Sequence, residues 1–274
     1  MSQVIAIVNQ KGGVAKTTTA VNLAAALVRQ DEKVLCIDLD PQANLTMSLG
    51  CQSPDELPHT VSDVIDKAIT EQPLDPSEGV IRHAEGIDLM PASIQLSGYE
   101  NLLINEYGRE NMLRQYVDAV RPFYDRILID CQPSLNILTI NALVAADSVL
   151  IPTQPQFFSA KGLELLFQTY GKVRRKMNPD LKIEGVLVTM MDKRPNFTKD
   201  VAGLIRSTYG GDVKVFDSEI PMSVRAMECG AEGKSIFAHD PRGRVAEAYA
   251  NLAAEVKENA EREQRMAHKH KAVR

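Results

Sequence analysis

Short apolar runs alternate with amphipathic stretches along most of the chain. The runs at 4–8, 34–39, 87–90, 126–130, 148–151, 184–190 and 213–216 are rich in Val, Ile and Leu and predict strands. Between them, apolar residues recur at helical spacing, as with Val21, Ala24, Ala25 and Val28 in the segment 17–29. Further helices are predicted over 61–69, 95–105, 110–120, 136–145, 161–176 and 199–209. Thr60 or Ser62 is placed to cap the helix at 61–69. A final long helix starts near Pro241, a residue suited to a first helical turn.

Strands separated by helices imply parallel βαβ units. The strands are near-continuously apolar rather than alternating, the pattern of a sheet covered by helices on both faces. The expected fold is α/β, a single doubly wound, mostly parallel sheet in one domain spanning 1–274. The Pro-, Asp- and Glu-rich stretch 54–78 is an excursion rather than a domain boundary, and no internal repeat is visible.

Composition narrows the picture. A chain of 274 residues with 44% hydrophobic content is long enough to bury a sizeable core. No apolar run approaches the roughly 20 residues that cross a bilayer, and no basic start and cleavage site mark a secretory signal. The net charge of −5 gives no sign of nucleic-acid binding, although a mean hides a basic face. Cys36, Cys51, Cys131 and Cys229 form no Cys-x-x-Cys pair, so reduced structural thiols in a cytosolic protein are expected.

The chemistry begins directly after the first strand. Residues 10–18 read Gln-Lys-Gly-Gly-Val-Ala-Lys-Thr-Thr. Gly12 and Gly13 let the backbone turn its N–H groups inward beside a helix amino terminus near Lys16, which makes an anion cradle. In that setting Lys16 reaches the β- and γ-phosphates of a nucleotide and the Thr17 hydroxyl ligates Mg²⁺. Two more predicted strands end in aspartate, one at Asp130 and one at Asp38, with Asp40 following. Ligands gather at the carboxyl ends of parallel strands, so all three carboxylates are expected at one pocket. Asp130 and Asp38 are assigned to the metal and Asp40 to the attacking water; taken singly, each has the alternative of a cap or turn residue.

The segments 11–19, 38–44, 130–135, 187–192 and 220–225, in this order, resemble the ParA/MinD family of P-loop ATPases, in particular the short ParA- or Soj-type partitioning proteins. Lys11 is the extra lysine of that family's deviant Walker A loop. The resemblance implies ATP and Mg²⁺ as cofactors. It implies nucleotide contacts from Gly12, Gly13, Val14, Ala15, Lys16, Thr17 and Thr18, and from Met191, Asp192 and Pro221 at the base. It gives Lys11 a catalytic role across an ATP-sandwich homodimer, where a second cation stabilises charge at the γ-phosphate. It further implies non-specific DNA binding by the dimer, a ParB-like partner that stimulates hydrolysis, and a cytoplasmic, nucleoid-associated protein with no membrane contact. The DNA-facing candidates are Arg225, Lys193, Arg194, Arg206, Lys234, Arg242 and Arg244, with Lys172, Arg174, Arg175 and Lys176 clustered on one helix.

Four departures from the family pattern stand out. Ala15 replaces a usual Gly, which is tolerable if its φ is below zero. Gln132 stands where Pro is usual, Asn136 where Gly is common, and Met222 where many relatives carry Arg. The tail 258–274 is polar and basic, and it lacks the bulky apolar face of a membrane-anchoring helix. Starting at the first strand, the chain is not expected to bind a specific operator. The rivals are a related ATPase with a protein cargo and a metabolic P-loop enzyme such as an ATP-dependent carboxylate or amide ligase.

Overall fold

The computed structural model describes residues 2–155, 159–192 and 213–272, together with 203, 210 and 211. Eight strands form one sheet in the order β3-β4-β2-β5-β1-β6-β7-β8. They are β1 (Gln3–Ile7), β2 (Val34–Leu39), β3 (Ile81–Arg82), β4 (Asp88–Met90), β5 (Arg126–Cys131), β6 (Ser148–Thr153), β7 (Lys182–Met191) and β8 (Val215–Pro221). All neighbours pair in parallel except β3 with β4. This is the expected doubly wound sheet, with a short antiparallel edge that the apolar pattern did not announce. At two residues, β3 is too short to show a period.

The helices are α1 (Lys16–Val28), α2 (Asn44–Ser48), α3 (Val61–Ile69), α4 (Leu96–Leu103), α5 (Met112–Val120), α6 (Ile137–Ala145), α7 (Ser159–Lys176), α8 (Val224–Ala231), α9 (Ile236–His239) and α10 (Arg244–Ala272). Successive residues of β1 serve opposite faces. Val4 and Ala6, with Val8 just beyond the strand, join a core with α3, α5 and α6, while Ile5 and Ile7 join another with α1 and α10. Both faces are therefore apolar, which explains the unbroken hydrophobic runs. In α1, every residue from Thr19 to Leu27 is buried. Its four alanines let the helix lie close between the sheet and α10, where Thr19 Oγ1 meets Tyr249 Oη at 3.3 Å. Thr60 caps α3 in a reciprocal box with Asp63.

Two boundaries and three short helices stand out against expectation. β8 runs on to Pro221 because Phe216 and Ile220 are buried on one face, whereas Asp217 and Glu219 between them broke the apolar run. α10 begins at Arg244, three residues after Pro241, with Gly243 leading into it. α2, α8 and α9 went unforeseen because each is short and two are rich in polar residues. The helix predicted over 199–209 lies outside the described residues.

The register positions the site. Ile7 pairs with Asp130, and Asp38 pairs with Asp130 on the other side. The chain leaves β1 toward β2 on one side and returns through β5 to β6 on the other, so the carboxyl ends of β2, β5 and β1 border a switch point. The opposite end of the sheet is locked by polar pairs. Arg126 Nε donates to Glu32 Oε2 at 2.7 Å, and Glu184 Oε2 accepts from Gln3 at 2.9 Å and Ser148 at 2.8 Å.

Candidate nucleotide site

The loop between β1 and α1 is held from four directions. Asn9 Oδ1 accepts the N–H of Lys11 at 2.9 Å, and its Nδ2 donates to the Pro152 carbonyl at 2.7 Å. Gln154 Nε2 donates to the Gly13 carbonyl at 2.6 Å. The Thr189 hydroxyl lies 3.0 Å from the Val14 carbonyl. Lys16 Nζ donates to the Lys11 carbonyl at 3.1 Å, closing the loop on itself. Sequence reasoning missed Asn9, Gln154 and Thr189. Only Asn9 carried a local signal, an Asx turn at the end of a strand.

Gly13 has φ +70, and a Cβ placed there would stand in open space, with no atom within 4 Å. A side chain would fill the room an anion needs, which fits the cradle reading. Ala15 contradicts its expectation. Its φ is 66 and its ψ 35, in the left-handed region, just before the first turn of α1. The methyl is retained at a strain of roughly 1–2 kcal/mol. Ala43, at the entry to α2, shares that conformation with φ 52.

Thr17 Oγ1 donates to Asp130 Oδ2 at 2.6 Å. The other oxygen of Asp130 is buried without a hydrogen-bond partner. Burial, reinforced by the charge of Asp38, pushes the Asp130 carboxyl up from the usual carboxylate range against the Thr17 bond and the Lys16 charge. Burial lowers the Lys16 ammonium, with Asp130 opposing it. Asp38 is wholly buried and is raised to about 6 by desolvation, against hydrogen bonds from Thr46. Both Asp38 oxygens are committed within the chain, Oδ2 to Thr46 N at 2.8 Å and Oγ1 at 2.7 Å, and Oδ1 to Asp40 N at 3.2 Å. Asp40 Oδ1 accepts from Gln42 N at 2.9 Å. Asp130 and Asp40 thus face the Lys16 ammonium, with Asp38 beside Asp130 in register, a cluster of carboxyl groups whose ionised form a divalent cation favours. The donors are hard oxygens, which suits Mg²⁺ held chiefly by water, one hydroxyl and phosphate. Among the described residues, no group of three or more His, Cys, Asp or Glu side chains is arranged to hold an ion alone.

Met191 and Pro221 line one cavity of about 250 Å³ together with Asp217, Arg244 and Asn251. The Met191 carbonyl accepts from Met222 N at 3.1 Å, joining the ends of β7 and β8. Arg244 therefore stands beside the residues expected at the nucleotide base. A larger cavity of about 500 Å³, lined by Asp75, Arg82, Asp88 and Tyr124, lies at the amino ends of the strands, away from the loop.

The expected basic face is partly neutralised. Arg225 Nη1 pairs with Asp240 Oδ2 at 2.8 Å, and Lys234 pairs with Glu232 at 3.2 Å. Arg242 and Arg244 are exposed. Lys193, Arg194 and Arg206 lie outside the described residues. At the end of α7, Lys172, Arg174, Arg175 and Lys176 are exposed, where a helix carboxyl terminus favours cations. No helix of the described residues is long and apolar enough to cross a membrane.

Known proteins are similar to this chain in sequence and fold. The profile of the AAA domain family matches residues 2–183. The Soj protein of Bacillus subtilis, titled a sporulation initiation inhibitor, is 43% identical over 94% of this chain and 100% of its own length. The chromosome partitioning protein ParA of Caulobacter vibrioides is 42% identical over 93% of each chain. A crystal structure titled cobyrinic acid a,c-diamide synthase, from Mycobacterium smegmatis with a bound ATP analogue and magnesium, superposes with a TM-score of 0.82 at 36% identity over 93% of each chain.

Proposed function

The chain belongs to the ParA/MinD family of P-loop ATPases, alongside the Soj and ParA proteins, and on that footing we propose that it is a DNA-partitioning ATPase. ATP and Mg²⁺ are its cofactors. Gly12, Gly13 and the amino terminus of α1 hold the phosphates, with Lys16 as the inner cation. Thr17, backed by Asp130, holds the metal, whose charge offsets that of the phosphates. Asp38, assigned to the metal from sequence, has both oxygens taken by Thr46 and the Asp40 N–H and instead fixes the turn that presents Asp40, and Asp40 orients the water. Met191, Asp192 and Pro221 flank the base.

One observation carries the reading. Lys16 is buried within its own loop, whereas Lys11 sits at the rim beside the exposed Gly12 and Gly13, its backbone pinned by Asn9. A pinned second lysine at an open rim suits a role toward the ATP of a second subunit. The ATP-bound homodimer then binds DNA without sequence preference, and a ParB-like partner releases it by stimulating hydrolysis on the nucleoid. Size-exclusion chromatography of Asp40→Ala with ATP or ADP, with and without DNA, tests this. A dimer retained on DNA only with ATP is expected; equal retention with both nucleotides sinks the proposal.

The solved structure titled as a diamide synthase favours a second reading, an ATP-dependent amide-forming enzyme. Turnover of ATP that depends on a small carboxylate and an amine donor, and ignores DNA, would establish it instead. A ParA-type ATPase whose cargo is a protein assembly rather than DNA keeps the same nucleotide chemistry and differs in the cargo it positions.

A further inference from the structure

We propose that Gln132 is a positioning residue for the loop that follows Asp130, clamped in place by Glu100 of α4. This rests on the ATPase reading above. The Gln132 carboxamide donates to Glu100 Oε1 at 2.7 Å and to Asn136 Oδ1 at 3.0 Å. An amide nitrogen carries two hydrogens, so both bonds form at once, and the bond to a carboxylate is the stronger. Asn136 Oδ1 also accepts from Leu138 N at 3.2 Å and Thr139 N at 3.4 Å, capping α6. One side chain therefore joins the end of β5, the body of α4 and the start of α6.

The segment it holds is short and borders the phosphate cradle. Ser134 N donates to the Gln132 carbonyl at 2.9 Å, and Thr139 Oγ1 donates to the Ser134 carbonyl at 2.8 Å. Pro133 sits against Gly12, where an added Cβ would meet Pro133 Cβ at 3.9 Å. Gln132 is two residues beyond Asp130, whose carboxylate holds Thr17. Movement of Gln132 is thus transmitted on one side to the metal aspartate and on the other to the wall of the cradle. Glu100 acts only through Gln132, and it makes α4 part of the lever.

The test uses Gln132→Ala, Glu100→Ala, the double variant and Glu100→Gln in the full chain. Two measurements are made: steady-state ATP hydrolysis with fluorescent-ATP affinity, and hydrogen exchange of the 131–139 amides without nucleotide. Each alanine variant is expected to lower kcat by about three- to tenfold while nucleotide affinity stays within about twofold, because the loop is misplaced rather than removed. Each should raise exchange, the double variant should match the singles, and Glu100→Gln, which keeps an oxygen acceptor, should restore most of both. Additive effects overturn the proposal, as do unchanged kcat, unchanged exchange, or a Glu100→Gln variant no better than Glu100→Ala. Absence of hydrolysis by the wild-type chain would instead sink the ATPase reading, and the exchange cycle would still judge the clamp.

Discussion

Asp130 receives the Thr17 hydroxyl on one oxygen and leaves the other buried without a partner. The carboxylate is half-satisfied, and with Asp38 beside it in register its charge is a burden on the folded chain. Asp38 carries the same burden, raised to about 6 by burial. Groups raised in the folded state contribute stability that is complete below their unfolded value of about 4 and is lost as pH rises through the folded values.

Asp130→Asn is therefore expected to stabilise the nucleotide-free chain above pH 6 by on the order of 1 kcal/mol, and to change little below pH 4. The asparagine oxygen still accepts from Thr17. The same variant should lose the Mg²⁺ dependence of nucleotide binding. Thermal melts across this pH range, with and without MgATP, check both halves. A loss of stability at pH 8 would contradict the charge argument.

Ala15→Gly should relieve the left-handed strain beneath the loop. The gain is offset in part by the greater freedom of glycine in the unfolded chain, leaving a net stabilisation of about 0.5–1 kcal/mol. Denaturant midpoints measure it, and a lower midpoint for the glycine variant would show that the surroundings already accommodate the methyl.

Asp40→Ala should leave nucleotide affinity within a few-fold and reduce kcat by about 100-fold or more, the usual scale for a positioned proton acceptor. Lys16→Ala should abolish binding itself. Isothermal titration beside a phosphate-release assay separates the two, and normal hydrolysis by Asp40→Ala would remove it from the mechanism.

The Arg225–Asp240 pair sets opposite signs on two substitutions. Arg225→Ala should weaken ATP-dependent DNA binding and lower the salt slope by about one phosphate contact. Asp240→Ala should free the guanidinium and tighten binding. Binding isotherms at several salt concentrations decide; identical slopes for both variants and wild type would take Arg225 off the DNA surface.

Much of this site was legible in order along the chain. The apolar runs located seven of the strands because their two-sided burial makes them nearly continuous, and Asp38 and Asp130 followed as strand ends. The braces were not legible. Gln154 and Thr189 reach the loop across 141 and 175 residues of sequence, and such contacts leave no local pattern. At Ala15 the sequence shows a methyl but not the left-handed turn that must carry it. Glu100 meets Gln132 across 32 residues of sequence, a contact that likewise leaves no local pattern.

The contact between Lys16 and the Lys11 carbonyl has a consequence for the order of events. A phosphate that takes hold of the inner ammonium displaces a main-chain oxygen, so one acceptor is exchanged for another and the cation is never left bare. The oxygen set free belongs to the peptide of Lys11, the residue that leads into the two glycines. Filling of the inner site is thus felt at the start of the glycine turn by a single peptide group.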